Sequence, residues 1–200
     1  MALREAFCAI IFLKEANVIT LKEKTNTVKD YKLLPEGAPY QLIEGELIMT
    51  PSPNSLHQMI SGNLFEMIRK VAKEKCGGTV LYSPIDVYLD EENVFQPDIV
   101  FISKERSAII KEDGIHGAPD IVIEILSPST AYYDMKKKFR VYERCGVREY
   151  WIVDPGMKGV EIFALTDKGE FALSLKVYEK GTVASAVLTL EIPLQTIFDI

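Results

Sequence analysis

Two apolar runs, FQPDIVFI at residues 95–102 and APDIVIEIL at residues 118–126, each open on a Pro-Asp pair, and the second carries Glu124 in its interior. Runs this rich in β-branched residues predict strands, and IVIEIL, apolar on both sides of Glu124, suits a strand covered on both faces. A carboxylate inside such a run is costly unless it is paired, hydrogen-bonded or bound to a cation. Glu124 therefore either carries chemistry or lies at a strand end against a lysine. Alternate side chains share a face, so Asp120, Val122, Glu124 and Leu126 point one way. At ~3.3 Å per residue Asp120 and Glu124 stand about 13 Å apart, too far to share one ion. Asp98, in the other run, can face Glu124 across a strand pair. For Asp120, preceded by Gly117-Ala118-Pro119, turn formation is the preferred explanation, and it also serves for Asp98 taken without Glu124.

The rest of the chain supplies the covering layers. YQLIEGELIMT predicts a β-hairpin turning at Glu44-Gly45, stopped by PSPN. Residues 55–75 have helical periodicity: at about 100° per residue Leu56, Ile60, Leu64, Met67, Ile68 and Val71 share one face, and Cys76-Gly77-Gly78 end the helix. A second helix is expected from about Thr130 to Arg144, capped by Ser129 or Thr130 after Pro128. REYWIVD, GVEIFAL and further strands up to Leu190 follow. This order favours an α/β or α+β sandwich, α/β ahead, with a mixed central β-sheet flanked by helices. Two hundred residues, 48% hydrophobic and 26% charged, suit one domain, drawn here over 25–200 and preceded by an extension, 1–24, with no assigned structure.

A formal net charge of -6 excludes tight nucleic-acid binding driven by an overall basic field, so any such contact needs a local patch. Cys8, Cys76 and Cys145 are widely spaced, with no CxxC, which argues against a zinc site or disulfide framework and for a reducing, cytoplasmic setting. AFCAIIFL near the start is too short for a membrane span and lacks a small-residue cleavage pattern.

In DMKKKFRVYER, a basic run would ordinarily read as a solvated helix face. Setting Asp134 at zero and stepping about 100° per residue, Met135, Phe139, Tyr142 and Cys145 fall between roughly 20° and 140°, a stripe expected to face the sheet. Lys138 falls near 40°, inside it, whereas Lys136, Lys137, Arg140 and Arg144 fall between roughly 200° and 300°. A lysine among apolar neighbours needs an anion, and Glu124 is the nearest candidate. Glu46, after the hairpin turn, is either an additional acid or an exposed strand residue. His57, at the edge of the first helix's apolar face, is either semi-buried and satisfied or site-lining. Glu66 points to the solvated side.

Taken together, YQLIEGELIMTPSP, HQ, QPD, GAPDIVIEILSPST, the spacing Asp134, Lys138, Tyr142, and GVREYWIVDP resemble the PD-(D/E)XK nuclease superfamily, and within it a bacterial family of restriction-endonuclease-like proteins. The resemblance runs from about Thr27 to Pro155. It implies a restriction-endonuclease-like core that hydrolyses phosphodiester bonds, with Mg²⁺ or Mn²⁺ held by Asp98 and Glu124, and Lys138 completing the catalytic set. Glu46, His57, Asp134 and Tyr142 are the candidate supporting residues. One departure stands out: the superfamily's lysine normally follows the acidic residue by two positions, and Leu126 occupies that place. In the narrower family the resemblance implies a lysine moved to the following helix, where Lys138 stands. The partners implied are nucleic acid, DNA ahead of RNA, and a second copy of the chain, with no membrane. The alternative is a nuclease-fold protein that binds or assembles without turnover. No helix-turn-helix or aromatic stacking motif identifies a target sequence.

Overall fold

A computed structural model describes residues 25–127 and 131–200 of the chain. The extension 1–24 and the expected cap at Ser129 or Thr130 lie outside the described residues. The elements run α1 (Val28–Tyr31), β1 (Tyr40–Ile43), β2 (Glu46–Met49), α2 (Ser55–Val71), β3 (Thr79–Tyr82), β4 (Val87–Asp90), β5 (Asn93–Phe95), β6 (Ile99–Ile102), β7 (Ile110–Lys111), β8 (Gly114–His116) and β9 (Ile121–Ile125). There follow α3 (Phe139–Cys145), β10 (Glu149–Asp154), β11 (Gly159–Leu165), β12 (Phe171–Tyr178), β13 (Thr182–Ser185), β14 (Leu190–Pro193) and α4 (Leu194–Ile197).

The mixed sheet flanked by helices has the order β12-β11-β10-β9-β6-β3, with β9 and β10 parallel and the other pairs antiparallel. Strand alternation divides its core. Ile121, Ile123 and Ile125 of β9 pack with Ile60, Leu64 and Ile68 of α2, while Val122 packs with Val141 and Tyr142 of α3. The fully buried β9 and β6 are the two apolar runs that begin with Pro-Asp, as strands covered on both faces require. A second six-stranded sheet, β2-β1-β5-β4-β8-β7, contributes Ile43, Phe95, Val87 and Ile115 to the α3 side of the core. That second sheet differs from the single central sheet expected from sequence, because its pairings join distant segments such as β1 with β5 and β4 with β8.

Local chemistry sets the elements that matter for the site. Glu44 and Gly45 both take positive φ, 51° and 78°, giving the two-residue turn whose twist suits a hairpin. The Asn54 side chain accepts a hydrogen bond from the His57 backbone N–H at 2.9 Å, which starts α2 and fixes where His57 stands on its first turn. Beyond Val71 the helix widens into a π-type turn, Ala72–Cys76, and stops at Gly77, whose φ of 65° is the left-handed conformation glycine adopts freely. Leu56, expected on the buried face, is instead exposed, as are Ser55 and Gln58 on the same first turn of α2.

The helix after β9 also departs from a regular α-helix. Tyr133–Lys138 form a π-type turn, with hydrogen bonds one residue wider than in an α-helix, before α3 continues. The widened turn breaks the 100° stepping and turns Met135, expected to face the sheet, outward at 52% exposure. Asp134 and Lys138 are brought inward together. Among the described residues no helix is long and apolar enough to cross a membrane.

Candidate active site

The β6–β9 register determines the centre of the site. Ile99 pairs with Ile123 and Val100 with Val122, so one further step sets Asp98 directly across from Glu124. Side chains in such opposed positions share a face and have Cβ atoms about 4.5–5.5 Å apart. The Ile125 backbone N–H donates to Asp98 Oδ2 at 2.7 Å, and His57 Nε2 lies 3.2 Å from the same oxygen. Glu124 Oε1 accepts from Lys138 Nζ at 2.9 Å and from the Tyr142 hydroxyl at 2.8 Å. Lys138 Nζ also lies 2.9 Å from Asp134 Oδ1, one helical turn earlier, and the Tyr150 hydroxyl donates to the Asp134 carbonyl at 2.9 Å. Each central carboxylate thus uses one oxygen, and among the described residues no donor meets Asp98 Oδ1 or Glu124 Oε2.

These groups face a cleft of about 650 Å³, where β6 begins and β9 and β10 end. Among the described residues its wall carries four carboxylates, Asp98, Glu124, Asp134 and Asp154, against Lys138 as the one Lys or Arg. The crowding of charge shows in the titration of Glu124, Lys138, His57 and Tyr142. Burial pushes the Glu124 carboxyl up, Lys138 opposes it, and the charges of Asp134 and Asp98 add to the rise, so the net shift is upward. Burial works against protonation of Lys138, but Asp134 and Glu124 outweigh it and hold the ammonium charged. For His57, burial again opposes protonation, and the hydrogen bond and charge of Asp98 overcome it, leaving the imidazole above its ordinary value. Burial, followed by the Glu124 charge, drives the Tyr142 hydroxyl well up, so it remains a donor.

The candidates expected from sequence are not all brought together. Asp98, Glu124, Lys138, His57, Asp134 and Tyr142 converge. Glu46 stays on the exposed hairpin, 2.9 Å from Lys137, which also reaches Glu44 at 3.7 Å. Asp120, at the head of β9, is buried in a separate cluster: it accepts from the Ser103 N–H at 2.7 Å and lies 3.3 Å from Arg148 and 3.5 Å from Arg106. Tyr82, Gln96 and Asp154 also line the wall, though none of them is among the site candidates expected from sequence. Gln96 had a signal, since it directly precedes Pro97-Asp98. Its N–H is held at 2.9 Å by the side chain of Gln41, which anchors the segment delivering Asp98. Asp154 lay within the GVREYWIVDP segment, and Tyr82 carried no signal of its own.

Among the described residues no three His, Cys, Asp or Glu side chains form a ready-made metal cage. Mg²⁺ does not need one, because it keeps several waters and is commonly held by one or two carboxylates plus substrate phosphate. The open oxygens of Asp98 and Glu124 are hard donors beside unbalanced negative charge, and they fit such an ion.

Fold and cleft together define a restriction-endonuclease-like protein. Over residues 28–196 the chain matches the Uma2 family, described as "Putative restriction endonuclease", and it belongs to that family. It is similar to the "Uncharacterized protein sll1609" of Synechocystis, 22% identical over 145 residues that cover 72% of this chain and 81% of the relative. It also superposes on the crystal structure of "a putative nuclease belonging to DUF820" from Anabaena variabilis. That match has a TM-score of 0.70 at 23% identity, covering 86% of this chain and 97% of the other, and bears on the fold alone.

Proposed function

We propose that this chain is a metal-dependent endonuclease that hydrolyses phosphodiester bonds of nucleic acid, DNA ahead of RNA, with Asp98 and Glu124 as ligands of Mg²⁺ or Mn²⁺. The observation that carries the reading is the opposition of Asp98 and Glu124 across β6 and β9, each with one oxygen open to the cleft and Lys138 on Glu124 at 2.9 Å. A wall of four carboxylates and one lysine repels a phosphate unless a cation intervenes. When bound, the ion would polarise a phosphodiester oxygen and lower the pKa of a water.

The chain's own groups do the rest. The Ile125 N–H and His57 hold Asp98 Oδ2 and so orient Oδ1 toward the cleft. Tyr142 and Lys138 do the same for Glu124. Lys138 replaces the strand lysine missing at Leu126, and its ammonium stabilises negative charge that develops on the phosphate. Asp134 keeps that ammonium charged and aimed.

A second reading, a nuclease-fold protein without turnover, is favoured by one feature: the Lys138 ammonium is already engaged by both Glu124 and Asp134. Nicking of supercoiled plasmid with Mg²⁺, Mn²⁺ or chelator separates the two. Metal-dependent nicking by the wild type that Asp98→Asn abolishes supports the nuclease. Nicking that survives the substitution belongs to another site or a contaminant.

A further inference from the structure

The lip of the cleft carries an aromatic ring with no role in the chemistry above. Tyr82 ends β3, the edge strand of its sheet, opposite Ile99, and the next residue, Ser83, donates its N–H to the Asp98 carbonyl at 3.0 Å. The ring is therefore set one residue from the strand position that holds Asp98. It is braced as well: Phe65 of α2 packs against it edge to face, with centroids 4.6 Å apart and planes at 64°. Even so, Tyr82 is 59% exposed, and Leu56, on the first turn of α2, is 43% exposed. Both line the same cleft as Asp98 and Glu124.

A ring braced on one side and exposed on the other, with an exposed aliphatic side chain in the same cleft wall, is a stacking surface for a flat ligand. The charges of the wall say which part of a nucleic acid it suits. Among the described residues the single lysine of the wall is buried and engaged, so the wall offers phosphates no free lysine or arginine. What the lip offers is apolar, and suits a base. A base within a duplex has both faces covered by its neighbours, so only an unstacked base can meet the ring.

We propose that Tyr82, braced by Phe65 and with Leu56 exposed on the same cleft wall, stacks an unpaired nucleobase beside the phosphodiester in the Asp98–Glu124 cleft, which makes single-stranded or locally unpaired nucleic acid the preferred substrate. This rests on the nuclease reading and names its substrate class.

Fluorescence anisotropy tests it with a labelled oligothymidylate of about twelve nucleotides, with Ca²⁺ in place of Mg²⁺ to hold back cleavage. The wild type, Tyr82→Ala and Tyr82→Phe are compared, alongside an abasic oligomer with the same phosphates. Tyr82→Ala should weaken oligothymidylate binding about tenfold, Tyr82→Phe less than about twofold, and the abasic oligomer should bind wild type and Tyr82→Ala equally weakly. Circular dichroism of both variants confirms folding, which an exposed position tolerates. Equal oligothymidylate affinities for wild type and Tyr82→Ala overturn the proposal. So does an abasic oligomer bound as well as oligothymidylate, or a Tyr82→Ala that alters self-association in ultracentrifugation while leaving oligonucleotide binding unchanged. The nuclease reading fails separately: a wild type that binds through Tyr82 but cleaves nothing in Mg²⁺ or Mn²⁺ loses hydrolysis and keeps the stacking site, and one that cleaves regardless of Tyr82 does the reverse.

Discussion

Asp120 and Glu124 lie on the same face at the two ends of one strand, both buried, and are stabilised in opposite ways. Asp120 is closed in: a backbone N–H and two arginines meet it, and although burial works the other way, the hydrogen bonds from Ser103, the charge of Arg106 and the hydrogen bond from Arg148 hold its carboxyl below the usual carboxylate range. Glu124 shares one lysine with Asp134, faces Asp98, and is pushed upward by burial. The first arrangement is complete without a ligand. The second leaves negative charge and open oxygens beside a cleft. A buried carboxylate therefore marks a functional site when its surroundings leave charge uncompensated, and burial alone does not distinguish the two.

The contrast is broken most sharply at Asp98 and Asp120. Asp98→Asn should reduce metal-dependent cleavage to background, whereas Asp120→Asn should leave activity per folded molecule unchanged; plasmid nicking normalised to folded protein reads both. At Lys138, replacement by Met leaves Glu124 and Asp134 buried without their cation. Cleavage should fall about 10²–10³-fold and stability by about 3–5 kcal/mol, read by single-turnover kinetics and urea melts. A small loss in both would place Lys138 with the surface lysines.

Asp120→Asn should cost about 2–3 kcal/mol at neutral pH, from the lost charged hydrogen bonds. Its pH dependence follows from the depressed folded pKa. The unfolded chain binds the proton first as pH falls, so the stabilisation is present above the ordinary carboxylate pKa and is lost as pH falls through the folded value. Urea melts between neutral and acid pH should show a shallower acid loss in Asp120→Asn than in the wild type; parallel curves would mean Asp120 is not the depressed group. The smallest effect is expected at Lys137, paired with exposed Glu46. Lys137→Ala should change stability by less than about 1 kcal/mol and lower the salt slope of nucleic-acid binding by at most about one.

What was legible in the sequence was local. The hairpin showed in Glu44-Gly45 and the first helix in its apolar period, the two Pro-Asp runs announced strands, and IVIEIL announced one covered on both faces. Inspection of DMKKKFRVYER pointed to an inward Lys138 near Glu124, and the two are in contact. The same stepping put Met135 inward, and there the π-type turn overrode it; a widened turn leaves no mark in a hydrophobic pattern. The second six-stranded sheet was hidden because it depends on pairings between distant segments. Asp120 was rightly separated from Glu124 by distance along the strand. Its arginines, however, come from Arg106 and Arg148, which no local pattern connects to it.

The account rests on an ion held between Asp98 and Glu124, and calorimetric titration of the full chain with Mn²⁺ and Mg²⁺ tests that most directly. Wild type and Asp120→Asn should each bind one ion per chain in the cleft, and Asp98→Asn should show no such binding. No binding to the wild type, or binding that Asp98→Asn leaves unchanged, would contradict it.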